Sequence, residues 1–261
     1  MEYLLTGETN RHVLLFVHGL GADYRQFERQ HDFFSKDFKV LSISLRGHGN
    51  SILHSPYEPK DFTLKKMARD IIMLLNVLGI EKVHYIGNSM GGNIGYEIIR
   101  YFPSYVASFT TFGTTAKLKP PKYLIHLMAI FYKLISIKMI SRLASRSGTT
   151  QYSKDLIRKM VEGTPKSTFI NALPLLSDFD YLPVIRLSKI PTLIIQGAKD
   201  TEINNVIAST LHEFERHGNF QIKNMKYAGH FANLDNPQLF NHILLDFLNR
   251  VKALSQKASK N

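Results

Sequence analysis

The sequence predicts an α/β fold, with a mostly parallel sheet and helices on both of its faces. Short apolar runs alternate with amphipathic helical patterns up to residue 113, and such alternation is typical of a parallel sheet. The run at 13–17 is apolar at every position, as expected for a strand that is buried on both faces. Glycine-bearing loops follow these runs, at the strand ends where folds of this class bind their ligands.

Predicted strands and helices alternate along the chain. The strands are expected at 13–17, 39–45, 83–86, 106–112, 191–197 and 220–227. The helices are expected at 24–35, from 64 to about 78, at 92–101, at 205–214 and from 237 onward. For the second helix, Thr63 is a suitable N-cap and Gly79 is a suitable stop.

The alternation is interrupted in the middle of the chain. Residues 114–187 show helical and loop patterns with several prolines, and the strand pattern returns only at 191. The sequence therefore predicts a core of residues 1–115 and 188–261, with residues 116–187 inserted as a helical cap over the carboxyl ends of the strands. The apolar stretch 123–132 indicates a cap helix packed on the core. A second interpretation is that this stretch lines an acyl-binding tunnel.

The composition limits the chemistry. Cysteine is absent, which excludes disulfides, thiolate metal sites and a cysteine nucleophile, and which fits a cytoplasmic location. The apolar stretch 124–140 contains His126, Lys133 and Lys138, so we expect no membrane-spanning helix there. Residues 1–7 lack the basic region and the apolar core of a signal peptide.

The formal net charge of +12 raises the question of an anionic partner. Basic residues are scattered over the chain and are locally dense only at 117–122 and 252–260. No nucleic-acid motif accompanies them, so specific binding of nucleic acid is not expected. We expect a weak association with anionic membrane surfaces, in which Lys133, Lys138 and Arg142 of the cap would face the lipid.

The strongest motif is Gly87-Asn88-Ser89-Met90-Gly91, which lies between a β-prone run and a helical pattern. Gly-x-Ser-x-Gly in this context is the signature of a nucleophile elbow. A sharp turn there strains the serine backbone and brings strand and helix so close that only glycine fits at the first and last positions. The alternative is a glycine-rich loop with an incidental serine.

A serine nucleophile needs a histidine base, and the histidine needs a carboxylate to orient it. Asp200 follows the strand predicted at 191–197, and His230 follows the last predicted strand. Each thus lies beyond the carboxyl end of its strand, as Ser89 does, and the order serine, acid, histidine is the one expected with this elbow. We therefore predict a triad of Ser89, Asp200 and His230. His18 is rejected as the base, because no acid follows it at a useful spacing.

A tetrahedral oxyanion needs two preorganised N–H donors. One is expected from the residue after the nucleophile, Met90, and the other from the loop after an earlier strand, at Leu20. Leu20 would also line the acyl pocket. His18, at the start of the same loop, is expected to hold the loop geometry by hydrogen bonding.

Taken together, five blocks in order resemble the α/β-hydrolase superfamily, and the likeness covers nearly the whole chain apart from the cap. The blocks are His18-Gly19-Leu20-Gly21, Arg46-Gly47-His48-Gly49-Asn50-Ser51, Gly87-Asn88-Ser89-Met90-Gly91-Gly92, Gly197-Ala198-Lys199-Asp200 and Gly229-His230. Within the superfamily, the chain resembles small bacterial carboxylesterases and monoacylglycerol-lipase-like enzymes. The two strands usual before the first glycine loop are shortened here to a segment near 3–5.

The resemblance implies the α/β-hydrolase fold, the same triad, and oxyanion donors at Leu20 and Met90. It excludes haloalkane dehalogenases and epoxide hydrolases, which need an aspartate where Ser89 stands, and prolyl iminopeptidases, which usually carry tryptophan where Met90 stands. The histidines show no metal-ligand spacing, so no metal or cofactor is expected.

The expected activity is therefore that of a serine hydrolase, which cleaves short- to medium-chain acyl esters or monoacylglycerol-like lipids through an acyl-enzyme. A thioesterase, an amidase, a carbon–carbon bond hydrolase and a cofactor-free perhydrolase remain open, since the same triad serves them all. A ligand-binding protein that kept the pocket and lost turnover is the alternative from another class.

Overall fold

A computed structural model describes residues 1–51, 62–216 and 219–258 of the chain. Its strands, in chain order, are β1 (Tyr3–Thr6), β2 (Val13–Val17), β3 (Lys39–Ile43), β4 (Val83–Asn88), β5 (Val106–Phe112), β6 (Lys117–Leu118), β7 (Phe179–Asp180), β8 (Thr192–Gly197) and β9 (Phe220–Met225). Seven of them form one sheet in the order β1-β3-β2-β4-β5-β8-β9. Only β1 runs antiparallel to its neighbour, and the other pairs are parallel. The predicted fold class is thus confirmed.

The strands form where the apolar runs predict them. Leu14, Leu15 and Phe16 of β2 are completely buried, as required of a strand covered by helices on both faces. The β2 and β5 bounds agree with the prediction, whereas β3 and β9 end two residues earlier than predicted. The N-terminal edge consists of the short β1 alone, which pairs with β3 from Tyr3 to Thr6.

The α-helices lie between these strands. They are α1 (Glu28–Phe34), α2 (Leu64–Val77), α3 (Met90–Tyr101), α4 (Lys122–Leu134), α5 (Ile137–Ser145), α6 (Gln151–Glu162), α7 (Lys166–Ala172), α8 (Leu182–Leu187), α9 (Thr201–Asn204), α10 (Ala208–Glu215), α11 (Ala232–Asp235) and α12 (Pro237–Ala258). The Thr63 hydroxyl accepts a hydrogen bond from the Lys66 amide at 3.1 Å, so Thr63 caps α2 as predicted. Gly79, with a φ of +65°, follows this helix.

Three predicted helices differ from the structure. The helix expected at 92–101 begins two residues earlier, at Met90, directly after the elbow serine. The helix expected at 205–214 begins three residues later, at Ala208 of α10, and a separate short helix, α9, precedes it. The Asp200 carboxylate caps α9 by accepting from the Ile203 amide. The segment expected as one helix at 24–35 begins with a 3-10 turn, Tyr24–Phe27, that leads into α1.

The segment between β5 and β8 contains α4 to α8. Its two ends are joined by β6 and β7, whose antiparallel pairing the sequence patterns did not predict because each strand has two residues. The Ser147 carbonyl, between α5 and α6, accepts from the His230 amide at 3.2 Å, so this segment contacts the carboxyl-end face of the sheet. Its description as a cap with bounds 116–187 stays a prediction.

In the part of the chain that the structure describes, no single helix is long and apolar enough to cross a bilayer. The pair Tyr123–Leu134 and Ile137–Ser145 meets the length and composition requirement only jointly, across a bend of 120°.

Candidate active site

Ser89 lies in a strained turn between β4 and α3. Its φ of 52° and ψ of −119° place it in the left-handed half of backbone space, and it is the only non-glycine residue with positive φ among the described residues. A Cβ on Gly87 would lie 2.6 Å from the Gly91 carbonyl carbon, and a Cβ on Gly91 would collide with the Val17 carbonyl oxygen. The strand, the helix and the neighbouring β2 therefore meet at van der Waals distance, and the turn is fixed by packing.

Asp200 and His230 form a hydrogen-bonded pair after β8 and β9. His230 Nδ1 lies 2.9 Å from Asp200 Oδ2, and the two side chains are 17% and 5% exposed, respectively. Burial alone would lower the pKa of His230. The hydrogen bond and negative charge of Asp200, with a smaller contribution from Glu202, outweigh burial and raise this pKa above its usual value.

His230 is placed next to the elbow by contacts with the end of β5. Its Cε1 lies 3.0 Å from the position that a Cβ on Gly113 would occupy, while the Ser89 amide donates to the Phe112 carbonyl at 3.0 Å. The Asn88 side chain donates to the His230 carbonyl at 3.1 Å. Within the described ranges, the Ser89 hydroxyl makes no hydrogen bond, so it is not hydrogen-bonded to His230. In ligand-free enzymes, the hydrogen bond between nucleophile and base is often long and tightens only when substrate binds.

The two predicted oxyanion donors flank Ser89. Met90 is the first residue of α3, so its amide has no acceptor within the helix. On the other side, a Cβ on Gly19 would lie 3.0 Å from the Ser89 Cβ, which places the loop containing Leu20 against the serine. Neither amide has an acceptor among the described residues, and their role as oxyanion donors stays a prediction.

Two buried histidines hold the Leu20 loop. The Leu45 amide donates to His18 Nε2 at 2.9 Å, so the ring proton is on Nδ1, which donates to the Gly19 carbonyl at 2.6 Å. In the same way, the Gly21 amide donates to His48 Nε2 at 3.1 Å. The two rings lie edge to face with centroids 4.9 Å apart.

Both histidines are held in the neutral form. Burial lowers the pKa of His18 to about 4, and burial together with the neighbouring His18 lowers that of His48 to about 3. A neutral ring is required here, because each Nε2 accepts a backbone hydrogen bond and cannot also carry a proton. His18 is therefore a structural part of the loop, in keeping with its rejection as the catalytic base.

A buried amide network supports the site, and sequence patterns did not predict it. Asn88 donates to the carbonyls of His230 and Phe112, at 3.1 and 3.2 Å, and accepts from Gln26 at 3.1 Å. Gln26 also donates to Asn233 at 3.2 Å. Asn88 and Asn233 lie 62 and 207 residues after Gln26 in the chain, so no local signal links the three residues.

Asp235 is a second residue that the sequence did not single out. One carboxylate oxygen accepts from the Gly229 amide at 2.8 Å, beside His230. The other accepts from the Thr149 amide at 2.7 Å and from the Ser153 hydroxyl at 2.6 Å, at the start of α6. This carboxylate therefore ties the inserted segment to the loop that bears His230.

Apolar side chains cover the site from the inserted segment. One cluster joins Ala22, Phe231 and the half-buried Leu20 to residues of the insertion, among them Ile140, Ile157, Met160, Val161 and Phe169. This surface suits an acyl chain, and the acyl-tunnel interpretation stays a prediction.

A cavity of about 1220 Å³ lies elsewhere, at the amino ends of the strands, where it is lined by residues such as His12, Lys39 and His84.

The described residues contain no group of three histidine, aspartate or glutamate side chains that are arranged to hold a metal ion. The groups that the structure brings together at the site are a strained serine, a histidine–carboxylate pair and two backbone amides with no acceptor in the described part of the chain. That combination is suited to acyl transfer.

A sequence model of the α/β-hydrolase fold family matches residues 12–237. This range covers most of the chain and contains every site residue described above. The chain belongs to the α/β-hydrolase fold family. The superfamily resemblance found in the sequence motifs is thereby confirmed.

One named relative and two solved structures illustrate what this α/β hydrolase is similar to. The 3-oxoadipate enol-lactonase 2 of Acinetobacter baylyi is 24% identical, over 93% of this chain and 90% of that protein. The enol-lactonase structure from Burkholderia xenovorans has a TM-score of 0.82 at 22% identity, covering 95% of this chain and 96% of that one. The structure of a thermophilic esterase from Thermogutta terrifontis has a TM-score of 0.79 at 22% identity, covering 96% and 93%. At these identities the structural likeness establishes the fold alone.

Proposed function

We propose that this α/β hydrolase is a serine esterase that cleaves carboxylic esters through a covalent acyl-enzyme. The observation that carries the proposal is the strained Ser89, placed at a helix N-terminus beside the hydrogen-bonded pair of His230 and Asp200. Two of the similar proteins named above are lactonases and one is an esterase, so all three act on bonds of the ester class, in support of the same chemistry.

The reaction follows from the positions of these groups. His230 Nε2 accepts the Ser89 hydroxyl proton while Ser89 Oγ attacks the ester carbonyl carbon. The amides of Leu20 and Met90 donate to the oxyanion that forms. The intermediate collapses with loss of the alcohol, which takes the proton from His230.

Deacylation uses the same groups. A water molecule gives a proton to His230 and attacks the acyl-serine, and collapse of the second tetrahedral intermediate releases the acid and restores the Ser89 hydroxyl. Asp200 keeps the proton of the neutral imidazole on Nδ1, so that Nε2 stays free to act as the base. The raised pKa of His230 makes it a stronger base towards the serine proton.

Hydrolysis of p-nitrophenyl esters of two to sixteen carbons tests the proposal. We expect Ser89→Ala to reduce turnover by about a thousandfold or more. The matched control is Ser167→Ala, which removes an exposed hydroxyl from α7 and should leave turnover unchanged. Retention of most of the activity in Ser89→Ala would refute the assignment. An optimum in chain length would support an acyl tunnel, and a flat profile would count against one.

A parallel panel separates the ester reaction from its alternatives. Thioesters, anilides, carbon–carbon bond substrates and a perhydrolase assay with peroxide all use the same nucleophile and base. The proposal requires the highest kcat/KM for oxygen esters. A protein that binds these ligands without turnover would instead be a non-catalytic member of the family.

A further inference from the structure

Helix α4 presents an apolar surface to solvent. None of its described side chains is buried, and seven large apolar ones are between 41% and 79% exposed. They are Tyr123, Leu124, Leu127, Met128, Ile130, Phe131 and Leu134. The sequence patterns indicated a helix packed on the core. The helix forms, but most of its apolar surface remains uncovered, whereas a helix that is apolar all round is normally buried in protein or in lipid.

The inner side of α4 is nevertheless fixed to the protein. Ile125, Ala129 and Tyr132 are its half-buried residues, at helical spacing along one narrow stripe. Tyr132 stacks on Phe169 of α7 with ring centroids 6.3 Å apart, and the Lys166 ammonium donates to the Lys133 carbonyl at 2.7 Å. The outward direction of the exposed apolar face is therefore set by packing.

Helix α5 continues this surface with an amphipathic face. Its inner residues Ile140, Ser141 and Ser145 are buried, while Met139 and Leu143 are exposed. The exposed basic residues Lys138 and Arg142 lie beside those two apolar side chains on the same helix. This arrangement, in which apolar side chains alternate with basic ones, is typical of helices that lie in a membrane interface.

The charged side chains within the segment that contains the two helices have a single sign. Residues 117–154 contain eight lysines and arginines and no aspartate or glutamate. Lys133, Lys138, Arg142 and Arg146 are exposed, and they form no ion pair with another described residue. An anionic lipid surface complements this charge. A second copy of the same face would carry the same charges and be repelled.

The surface is connected to the active site. Tyr132, Ile135 and Ile137, at the junction of α4 and α5, pack in the same apolar cluster as Leu20 and Phe231. Leu20 carries one of the predicted oxyanion amides, and Phe231 follows His230. The apolar side chains between the exposed helices and Ser89 are thus continuous.

We propose that α4 and the outer face of α5 form a docking surface for anionic lipid bilayers, and that this surface delivers ester lipids to Ser89. The docking rests on exposure and charge alone, whereas the lipid substrate class rests also on the proposed esterase function. The helices lie in the interface without crossing the bilayer, since the chain bends by 120° between them and the inner face of α5 is buried in protein.

Sedimentation of the full chain with vesicles tests the docking. We expect binding to vesicles that contain phosphatidylglycerol, weaker binding to pure phosphatidylcholine, and release at high salt. Lys138→Gln with Arg142→Gln should weaken binding by about thirtyfold, because each charge contributes a factor of about five near an anionic surface. Its matched control is Lys36→Gln with Lys82→Gln, two exposed lysines at the amino ends of the strands.

A second pair tests the apolar face. Leu127→Glu with Phe131→Glu should abolish binding, whereas Met73→Glu with Val77→Glu, an exposed apolar pair at the same spacing on α2, should not. Equal losses in both pairs would show that net charge alone is responsible and would overturn the proposal. Two other results would also overturn the proposal. One is a stable wild-type dimer that becomes a monomer in Leu127→Glu with Phe131→Glu. The other is wild-type protein that stays in the membrane when it is extracted with carbonate at high pH.

The substrate class needs a separate measurement. In Leu127→Glu with Phe131→Glu, hydrolysis of soluble p-nitrophenyl butyrate should match that of wild type, while hydrolysis of a monoacylglycerol in phosphatidylglycerol vesicles should fall by at least tenfold. Absence of both activities in wild type would refute the esterase function and leave the docking result intact. Equal monoacylglycerol hydrolysis by wild type and variant would contradict delivery through this surface.

Discussion

The buried histidines His18 and His48 should make the protein sensitive to acid. A histidine in the unfolded chain has a pKa of about 6.5, so it is largely protonated at pH 5. In the folded protein, burial lowers the pKa of His18 to about 4 and that of His48 to about 3, so both remain neutral there. The unfolded state therefore binds more protons below pH 6.5, and the free energy of unfolding falls as the pH is lowered.

The magnitude follows from these values. Between pH 7.5 and pH 5, each of the two histidines is expected to remove about 2 kcal/mol from the free energy of unfolding. The loss continues until the pH reaches the folded-state pKa of each group. A typical domain is stable by about 5–15 kcal/mol, so the effect is a large fraction of the total.

Urea denaturation of wild type and His48→Gln at pH 7.5 and pH 5 measures this contribution. The glutamine cannot titrate, and its carbonyl can still accept from the Gly21 amide. The drop in unfolding free energy between the two pH values should be about 2 kcal/mol smaller in His48→Gln than in wild type. His31 and His84, whose pKa burial also lowers to about 4, add equally to both proteins.

The control is His242→Gln, which replaces an exposed histidine on α12 and should leave the drop unchanged. An identical pH dependence in wild type and His48→Gln would refute the assignment of His48 as a neutral acceptor. A neutral His48 that accepts from the Gly21 amide would then not be what holds the Leu20 loop in place.

The remaining predictions concern the residues around the triad. Because Asp200 raises the pKa of His230, kcat/KM should rise with pH through a pKa above 6.5. Asp200→Asn should shift this rise to lower pH and reduce turnover by about 10⁴-fold. A pH profile that Asp200→Asn does not shift would show that Asp200 does not set the pKa of His230. Gly91→Ala should lower the free energy of unfolding by about 3 kcal/mol or more in urea, since its Cβ meets backbone of β2; wild-type stability would contradict the close approach. Asp235→Asn should accelerate amide exchange at Thr149 and Gly229, measured by mass spectrometry, because one of its oxygens no longer accepts; unchanged exchange would show that this carboxylate does not join the two segments.

Local patterns predicted the sheet and the positions of the chemistry. The 13–17 and 106–112 strands were predicted without error. The first is apolar at every position, as expected for a strand covered on both faces, and the second is rich in β-branched and aromatic residues. Ser89, Asp200 and His230 were found because each follows a strand, and the structure places Asp200 and His230 in hydrogen-bond contact. The catalytic roles of the three residues stay predictions that the experiments above address.

Long-range polar contacts were beyond the reach of those patterns. Asn88 and Asp235 act through partners that are distant in sequence. An asparagine at the end of a strand or an aspartate at the end of a short helix gives no local sign of such a partner. The two-residue strands β6 and β7 are too short to show a period. The apolar sequence of α4 predicted a helix but not its exposure, because hydrophobicity alone does not distinguish a core-facing surface from one that faces lipid.

Covalent labelling with a fluorophosphonate tests the central claim most directly, since it requires the nucleophile, the base and the oxyanion donors together. Mass spectrometry of the digested protein should find the phosphonyl group on Ser89 in wild type, no label in Ser89→Ala, and slow labelling in His230→Gln. Labelling of another residue, or labelling of Ser89 at an equal rate in wild type and His230→Gln, would contradict a serine activated by His230.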